Sequence, residues 1–364
     1  MAVIVLTSAA GAPGVTSTAV GLTLTWKRSV ILVDADPAAH QAILAGYLRG
    51  QISTGKGMQR VAEAHRDRRP LVEVVSDETI PLSAGPGPVD GHGAGDDTIE
   101  VGPSTLSRRL LPGFSNPANA ALFDPVWPDL TDTFVEYEAV GIDVIIDAGR
   151  LDPRAGLPQP VVERADAVCL ITRSDLRSVA ASRGAVLRLR EQIRLTGNDS
   201  NLGLVLLGDN DPYGRREIGN LLSVPVVSVV ASEPQSARVF SDGARRGRKF
   251  GRSELVRSLH RVGDDLTAQV RRRRSRLGLD PDRMDHDRLR PSRFDSVRGD
   301  PDDALPNAIA GVHVATAPSV NDSAATPETA PAEVASAPDG TATEGASMNA
   351  WLRAGADSAR GGHV

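Results

Sequence analysis

The residues best suited to chemistry sit where apolar runs end. The first run, Val3-Ile4-Val5-Leu6-Thr7, passes into the small-residue stretch Ser8-Ala9-Ala10-Gly11-Ala12-Pro13-Gly14 and then Val15-Thr16-Ser17. Small side chains between a strand and a helix let successive backbone N–H groups close around an anion such as a phosphate, at the positive end of the helix. Against the phosphate-loop pattern G-x4-G-K-[ST], Gly14 and Thr16 match, Ala9 stands for the first glycine and Val15 for the lysine. A tight strand-to-helix turn with no ligand has the same composition, so the loop alone leaves both readings open. Two later runs end in acids, Val33-Asp34-Ala35-Asp36-Pro37 and Ile145-Ile146-Asp147-Ala148-Gly149. Carboxylates at strand ends beside such a loop are where a Mg2+–phosphate site needs them. Either acid alone is also an ordinary cap or turn residue; the three features in one order are what point to chemistry.

These side chains need a scaffold that brings distant strand ends together. Runs apolar on both faces, 2–7, 29–35, 141–148, 167–172, 202–207 and 224–230, alternate with helical spacing at 15–26, 176–195 and about 252–274. Strands without polar alternation, separated by helices, predict a doubly wound, mostly parallel α/β sheet covered on both faces. Right-handed crossovers then place the ligand crevice at the strand C-termini. Residues 83–97 are rich in Gly, Pro and Asp and read as a flexible insertion. The folded domain is expected to span 1–276. Residues 277–364 form an Ala/Pro/Thr/Asp-rich tail with too few large apolar side chains to offset ordering entropy, and are expected to be disordered. Near its end, Met348-Asn349-Ala350-Trp351-Leu352-Arg353 is an apolar knot that reads either as chance or as a docking motif for a protein partner.

The loop, the D-x-D-P strand end and the later strand ending in Asp resemble the ParA/MinD family of deviant-Walker ATPases. The stretch Ser223 to Val230, leading into Glu233-Pro234, is similar to a further strand and helix of that family. The likeness runs over residues 1–270, with a long departure between 50 and 115. It implies a P-loop nucleotide-binding fold that takes ATP and Mg2+. Gly11, Gly14, Thr16 and Ser17 would line the phosphates, and Thr16 would hold Mg2+ through its hydroxyl. Asp36 would orient the attacking water as the catalytic residue, and Asp147 would support the metal. Asp34 is the weaker acid and reads as a cap of the following helix. Asn210 falls near where the family reads adenine, and its type equally suits a turn.

Two departures qualify the implied activity. Val15 occupies the position of the loop lysine, and Ala10 that of the signature lysine that reaches across a dimer. Losing a preorganised cation of this kind typically costs on the order of 10²–10³ in rate, so binding is expected to survive where fast hydrolysis is not. Arg150, Arg173 and Arg177 are nearby cations in sequence, but their spacing does not show that any reaches a phosphate. The resemblance implies nucleotide-dependent homodimers that serve partitioning, cell-pole or secretion-apparatus positioning. The competing reading is a pseudo-ATPase scaffold that binds protein partners without nucleotide.

Composition narrows the partners. A net charge of −5 argues against wholesale nucleic-acid binding, and 3% aromatic residues offer no base-stacking platform. Any contact with DNA or an anionic membrane would run through the clusters Arg245–Arg252 and Arg271–Arg276, the latter at the end of a helix whose Leu255, Val256, Leu259, Val262, Leu266 and Val270 fall at core spacing. The single cysteine, Cys169, lies in an apolar run and reads as a core residue in a reducing cytoplasm. No segment approaches the roughly 20 apolar residues that span a bilayer, and residues 1–8 lack the basic start of a signal peptide. A cytoplasmic protein, peripheral to a membrane or nucleoid at most, is expected. His65, His92, His260, His286 and His313 show no ligand spacing.

Overall fold

The computed structural model describes residues 2–9, 14–39, 41–51, 55–82, 106–196, 201–208 and 213–278. Gly11, Ala10, Asn210, the 83–97 insertion and the tail beyond 278 lie outside the described residues. The chain begins with β1 (Val3–Ser8), α1 (Val15–Thr25) and β2 (Val30–Asp34), followed by a π-helical turn at Ile43–Tyr47. Two short helices, α2 (Met58–Arg66) and α3 (Leu71–Glu78), lead to β3 (Ile80–Pro81) and β4 (Arg108–Leu111). Next come α4 (Pro117–Ala121), α5 (Trp127–Glu136), β5 (Asp143–Arg150) and α6 (Gln159–Arg164). The last part is β6 (Ala167–Arg173), α7 (Leu176–Leu195), β7 (Leu202–Leu207), α8 (Arg215–Leu222), β8 (Val226–Val230), α9 (Pro234–Ser241) and α10 (Glu254–Arg276).

The eight strands form one sheet in the order β3-β4-β2-β5-β1-β6-β7-β8, parallel except for the β3–β4 pair. β1 and β2 are buried along their whole length, as expected of strands covered on both faces. Two apolar clusters cover the sheet. One includes residues of α2, α3, α5, α6, α7 and α8; the other joins α1, the π-turn, α9 and α10. α1 is buried nearly all round, and its Thr23 and Thr25 hydroxyls donate to the Ala19 and Gly21 carbonyls, so polar residues are tolerated there without solvent. β1 lies between β5 and β6, so connections leave it in both directions, which opens a crevice at its C-terminal end.

Two buried carboxylates tie the opposite end of the sheet. Asp143 accepts from the Ala2 amide at 2.7 Å and the Trp26 indole at 2.8 Å, and pairs with Arg28 at 3.3 Å. Asp166 accepts from the Val3 amide at 3.0 Å and from Arg274 at 2.8 and 2.9 Å. Arg274 also pairs with Glu138, while Arg273 is buried and donates to the Asp166 carbonyl at 3.2 Å. Arg273 and Arg274 thus clamp α10 to the sheet, which leaves Arg271, Arg272 and Arg276 of that run exposed. All six apolar residues expected on the core face of α10 are buried.

β4 escapes sequence reading because it offers only two apolar residues. Its arginines instead reach out of the sheet, Arg108 to the Trp26 carbonyl and Arg109 to the Thr79 carbonyl. No helix among the described residues is long and apolar enough to cross a membrane.

Candidate functional site

The crevice beside β1 is built by the ends of β1, β2 and β5 and the first turn of α1. Gly14 caps α1 with φ 117°, a backbone conformation that favours glycine, and a Cβ there would lie 2.9 Å from the Leu207 Cδ1 methyl. The cap leaves the first-turn amides without a side-chain acceptor. Thr16 and Ser17 are half-buried beside it. Val15 is 5% exposed and packs in the α1–α10 core, so only its backbone amide is placed to serve a ligand.

Asp147 is fully buried and stands in register between Leu6 of β1 and Asp34 of β2. Its Oδ1 accepts from the Gly149 amide at 3.0 Å, while Oδ2 has no hydrogen-bond partner within 3.5 Å among the described residues. Burial and the Asp36 charge push its pKa up to about 6, against the nearby Thr16 hydroxyl and the Gly149 amide. Asp36 is half-buried; its Oδ1 accepts from the Ala38 amide at 2.9 Å. Its carboxyl lies against Gly149, where an added Cβ would come within 2.3 Å of Cγ, and the φ of 59° at Gly149 again favours glycine.

Asp34 departs from expectation. It caps no helix: the side chain is 5% exposed at the end of β2 and lies against Gly113. Burial, then the charges of Asp147 and Asp36, push its pKa up to about 8, against hydrogen bonds from the amides of Asp36 and Gly113. The carboxyl is therefore mostly protonated at neutral pH.

Thr16, Asp36 and Asp147 are thus brought together, with Gly14 and Ser17 on the same helix end; Gly11 and Asn210 fall outside the described residues. No group of three or more His, Cys, Asp or Glu with metal-binding geometry occurs among the described residues. The fit is to a hard cation that takes one carboxylate, one hydroxyl and oxygens of a bound anion, as Mg2+ does with phosphates. The orphaned Asp147 Oδ2 is the atom that suits it.

A cavity of about 330 Å³ that was not apparent from sequence continues from Gly14, Ser17 and Thr18 towards the ends of β7 and β8. Leu207, Val230, Pro234 and Phe240 give it apolar walls, and Arg173, Glu233 and Arg238 a polar rim. Its lining comes from many separated segments, so no local spacing could have revealed it. Arg150 and Arg177 are exposed and do not line it.

No protein-family model matches the chain, and comparison with curated proteins finds no match. Solved structures do match. A ParA family ATPase from Chlorobium tepidum TLS is similar at 15% identity, with a TM-score of 0.52 over 72% of this chain and 98% of that one. A chain of the MinC:MinD cell division protein complex from Aquifex aeolicus is similar at 14% identity, with a TM-score of 0.51 over 74% and 96%. The fold is that of the ParA/MinD P-loop ATPases, as the sequence motifs imply; at this identity the likeness establishes the fold alone.

Proposed function

We propose that this chain binds a nucleoside phosphate together with a divalent cation at the N-terminus of α1, hydrolyses it slowly or not at all, and uses it to pair with a second copy in a positioning or partitioning role. The observation that carries the reading is Asp147: a fully buried carboxylate with an unpartnered oxygen, set beside Thr16 and the open first turn of α1. Burying an unsatisfied carboxylate is costly, and a cation is the natural partner for it.

In this reading the first-turn amides of α1 bind phosphate oxygens, and Gly14 keeps the approach clear. Thr16 and Asp147 hold the cation, which would neutralise phosphate charge when bound. Asp36, whose carboxyl lies against Gly149, would orient the attacking water. With Val15 packed in the core, that position supplies no cation for charge developing on a transferred phosphoryl group, which supports slow turnover. The same observation favours the second reading, a pseudo-ATPase scaffold that works without nucleotide.

For a DNA or membrane surface, the exposed Arg245, Arg248, Lys249 and Arg252 remain the suitable cluster; Arg246 lies over Phe250 at 5.9 Å. A protein partner would engage the tail around Met348–Arg353, and a cytoplasmic location is in keeping with this role. Thermal unfolding with ATP, ADP and GTP, each with Mg2+ and with chelator, tests the proposal. A rise in Tm with adenine nucleotide and Mg2+ supports it; a flat response to all of them leaves the scaffold.

A further inference from the structure

The loss of both family lysines leaves a phosphate site with an electrostatic problem. Asp36, set against Gly149, and Asp147, level with Leu6 of β1, stand at one end of the crevice, so a phosphate chain placed there meets carboxylates. The helix N-terminus offsets about half an elementary charge. A bound divalent cation offsets two more, which leaves part of a nucleotide's charge for a protein cation, and three arginines lie close in sequence to the strand ends.

The sheet register separates them. β6 pairs with β1 so that Ile171 stands opposite Ser8, and β6 continues to Arg173, two residues past that pair and beyond the end of β1. Arg173 therefore emerges on the crevice side, where it lines the cavity with Gly14, Ser17 and Thr18. Its guanidinium forms no ion pair with a described residue, whereas Arg238, the other cation lining the cavity, pairs with Asp242 at 3.1 Å. Arg150 is exposed at the end of β5, and Arg177 is exposed in the first turn of α7; neither lines the cavity.

Resting on the nucleotide reading above, we infer that Arg173 is the phosphate-binding cation of this site, acting from the neighbouring strand in place of the lysine that Val15 replaces. A guanidinium presents a planar, rigid fork of N–H groups to two phosphate oxygens, a geometry an ammonium does not fix. It approaches from the cavity side, next to the residues that follow the loop, and not from the side of the carboxylates. Arg173 thus contributes to holding nucleoside diphosphate and triphosphate alike and does little for turnover, which separates its role from that of the absent lysine.

The test is isothermal titration of ADP and of ATP, each with Mg2+, into the full-length chain and its Arg173→Ala, Arg173→Lys and Arg150→Ala variants. Tm without nucleotide checks that each variant folds, as exposure of both side chains predicts. Arg173→Ala should weaken both nucleotides by a similar factor, roughly tenfold to hundredfold for a lost charge-assisted contact. Arg173→Lys should recover part of that, and Arg150→Ala should stay within twofold of the parent. If the parent binds and Arg173→Ala binds within twofold of it, or if Arg150→Ala loses as much, the Arg173 assignment is wrong while the nucleotide reading stands. If the parent binds neither nucleotide, both are wrong.

Discussion

Replacing Asp34 by Asn should stabilise the protein, and the gain should grow with pH. The Asp34 pKa is raised from 3.8 to about 8, with burial as the largest cause and the Asp147 charge next. A carboxyl whose pKa is raised on folding holds its proton in the native state while the unfolded chain releases it. Its effect is absent below about pH 4 and grows as pH rises, reaching its full destabilising size above about pH 8. Between pH 5 and 7 the slope approaches about 1.4 kcal/mol per pH unit, so the penalty is about 2 kcal/mol at pH 5 and about 4 at pH 7. Asn keeps the shape and cannot ionise in either state. Asp34→Asn should therefore raise stability by up to about 4 kcal/mol at pH 7, or about 8 °C in Tm for a domain of this size, and by about half of that at pH 5. Denaturant unfolding of both proteins from pH 5 to 8 measures the difference. A gap that stays constant with pH, or an Asn variant less stable throughout, refutes the account of Asp34 as a buried, proton-holding carboxyl.

Other substitutions test separate parts of the structure. Asp166→Ala strips Arg274 and the Val3 amide of a buried acceptor and should cost about 3 kcal/mol, seen as a lower denaturation midpoint with unchanged m-value; an unchanged midpoint would mean that the clamp contributes nothing. Gly14→Ala puts a Cβ into a left-handed backbone against Leu207 and should cost roughly 1–3 kcal/mol while weakening any nucleotide-induced rise in Tm; a neutral result would contradict the assigned geometry. Val15→Lys should lower the nucleotide-free Tm, because it introduces an ammonium where the native side chain is packed in the core, at roughly 2–3 kcal/mol; an unaltered Tm would show that this position is open to solvent.

Much of the frame was legible because apolar runs and caps are local signals. β7 and α7 have the bounds that the spacing predicts, and α7 starts where the Asp175 side chain accepts from the Ser178 amide at 2.9 Å. β4 was not legible, since an Arg-Arg-Leu-Leu run at a half-covered position carries no strand pattern. Nor were the partners of Arg273 and Arg274, because a charge run looks the same in sequence whether it meets solvent or an acid 107 or 108 residues away. At the site, the order of Gly14, Thr16, Asp36 and Asp147 pointed to one crevice, and the structure sets Thr16, Asp36 and Asp147 within reach of one another. The inward turn of Asp34 was hidden, because residue type and position at a strand end do not say which way a carboxyl points. The cavity beside Arg173 depends on how far β6 runs past β1, a matter of register that only the folded sheet determines.

The most direct measurement is the metal dependence of nucleotide binding in the parent chain and in Asp147→Asn, titrating ADP with Mg2+ and with EDTA. The account predicts that Mg2+ tightens binding to the parent and that Asp147→Asn, still folded, binds equally with and without it. Parent binding that ignores Mg2+, or an Asn variant that responds to it as the parent does, would contradict the role given to the unpartnered carboxylate oxygen.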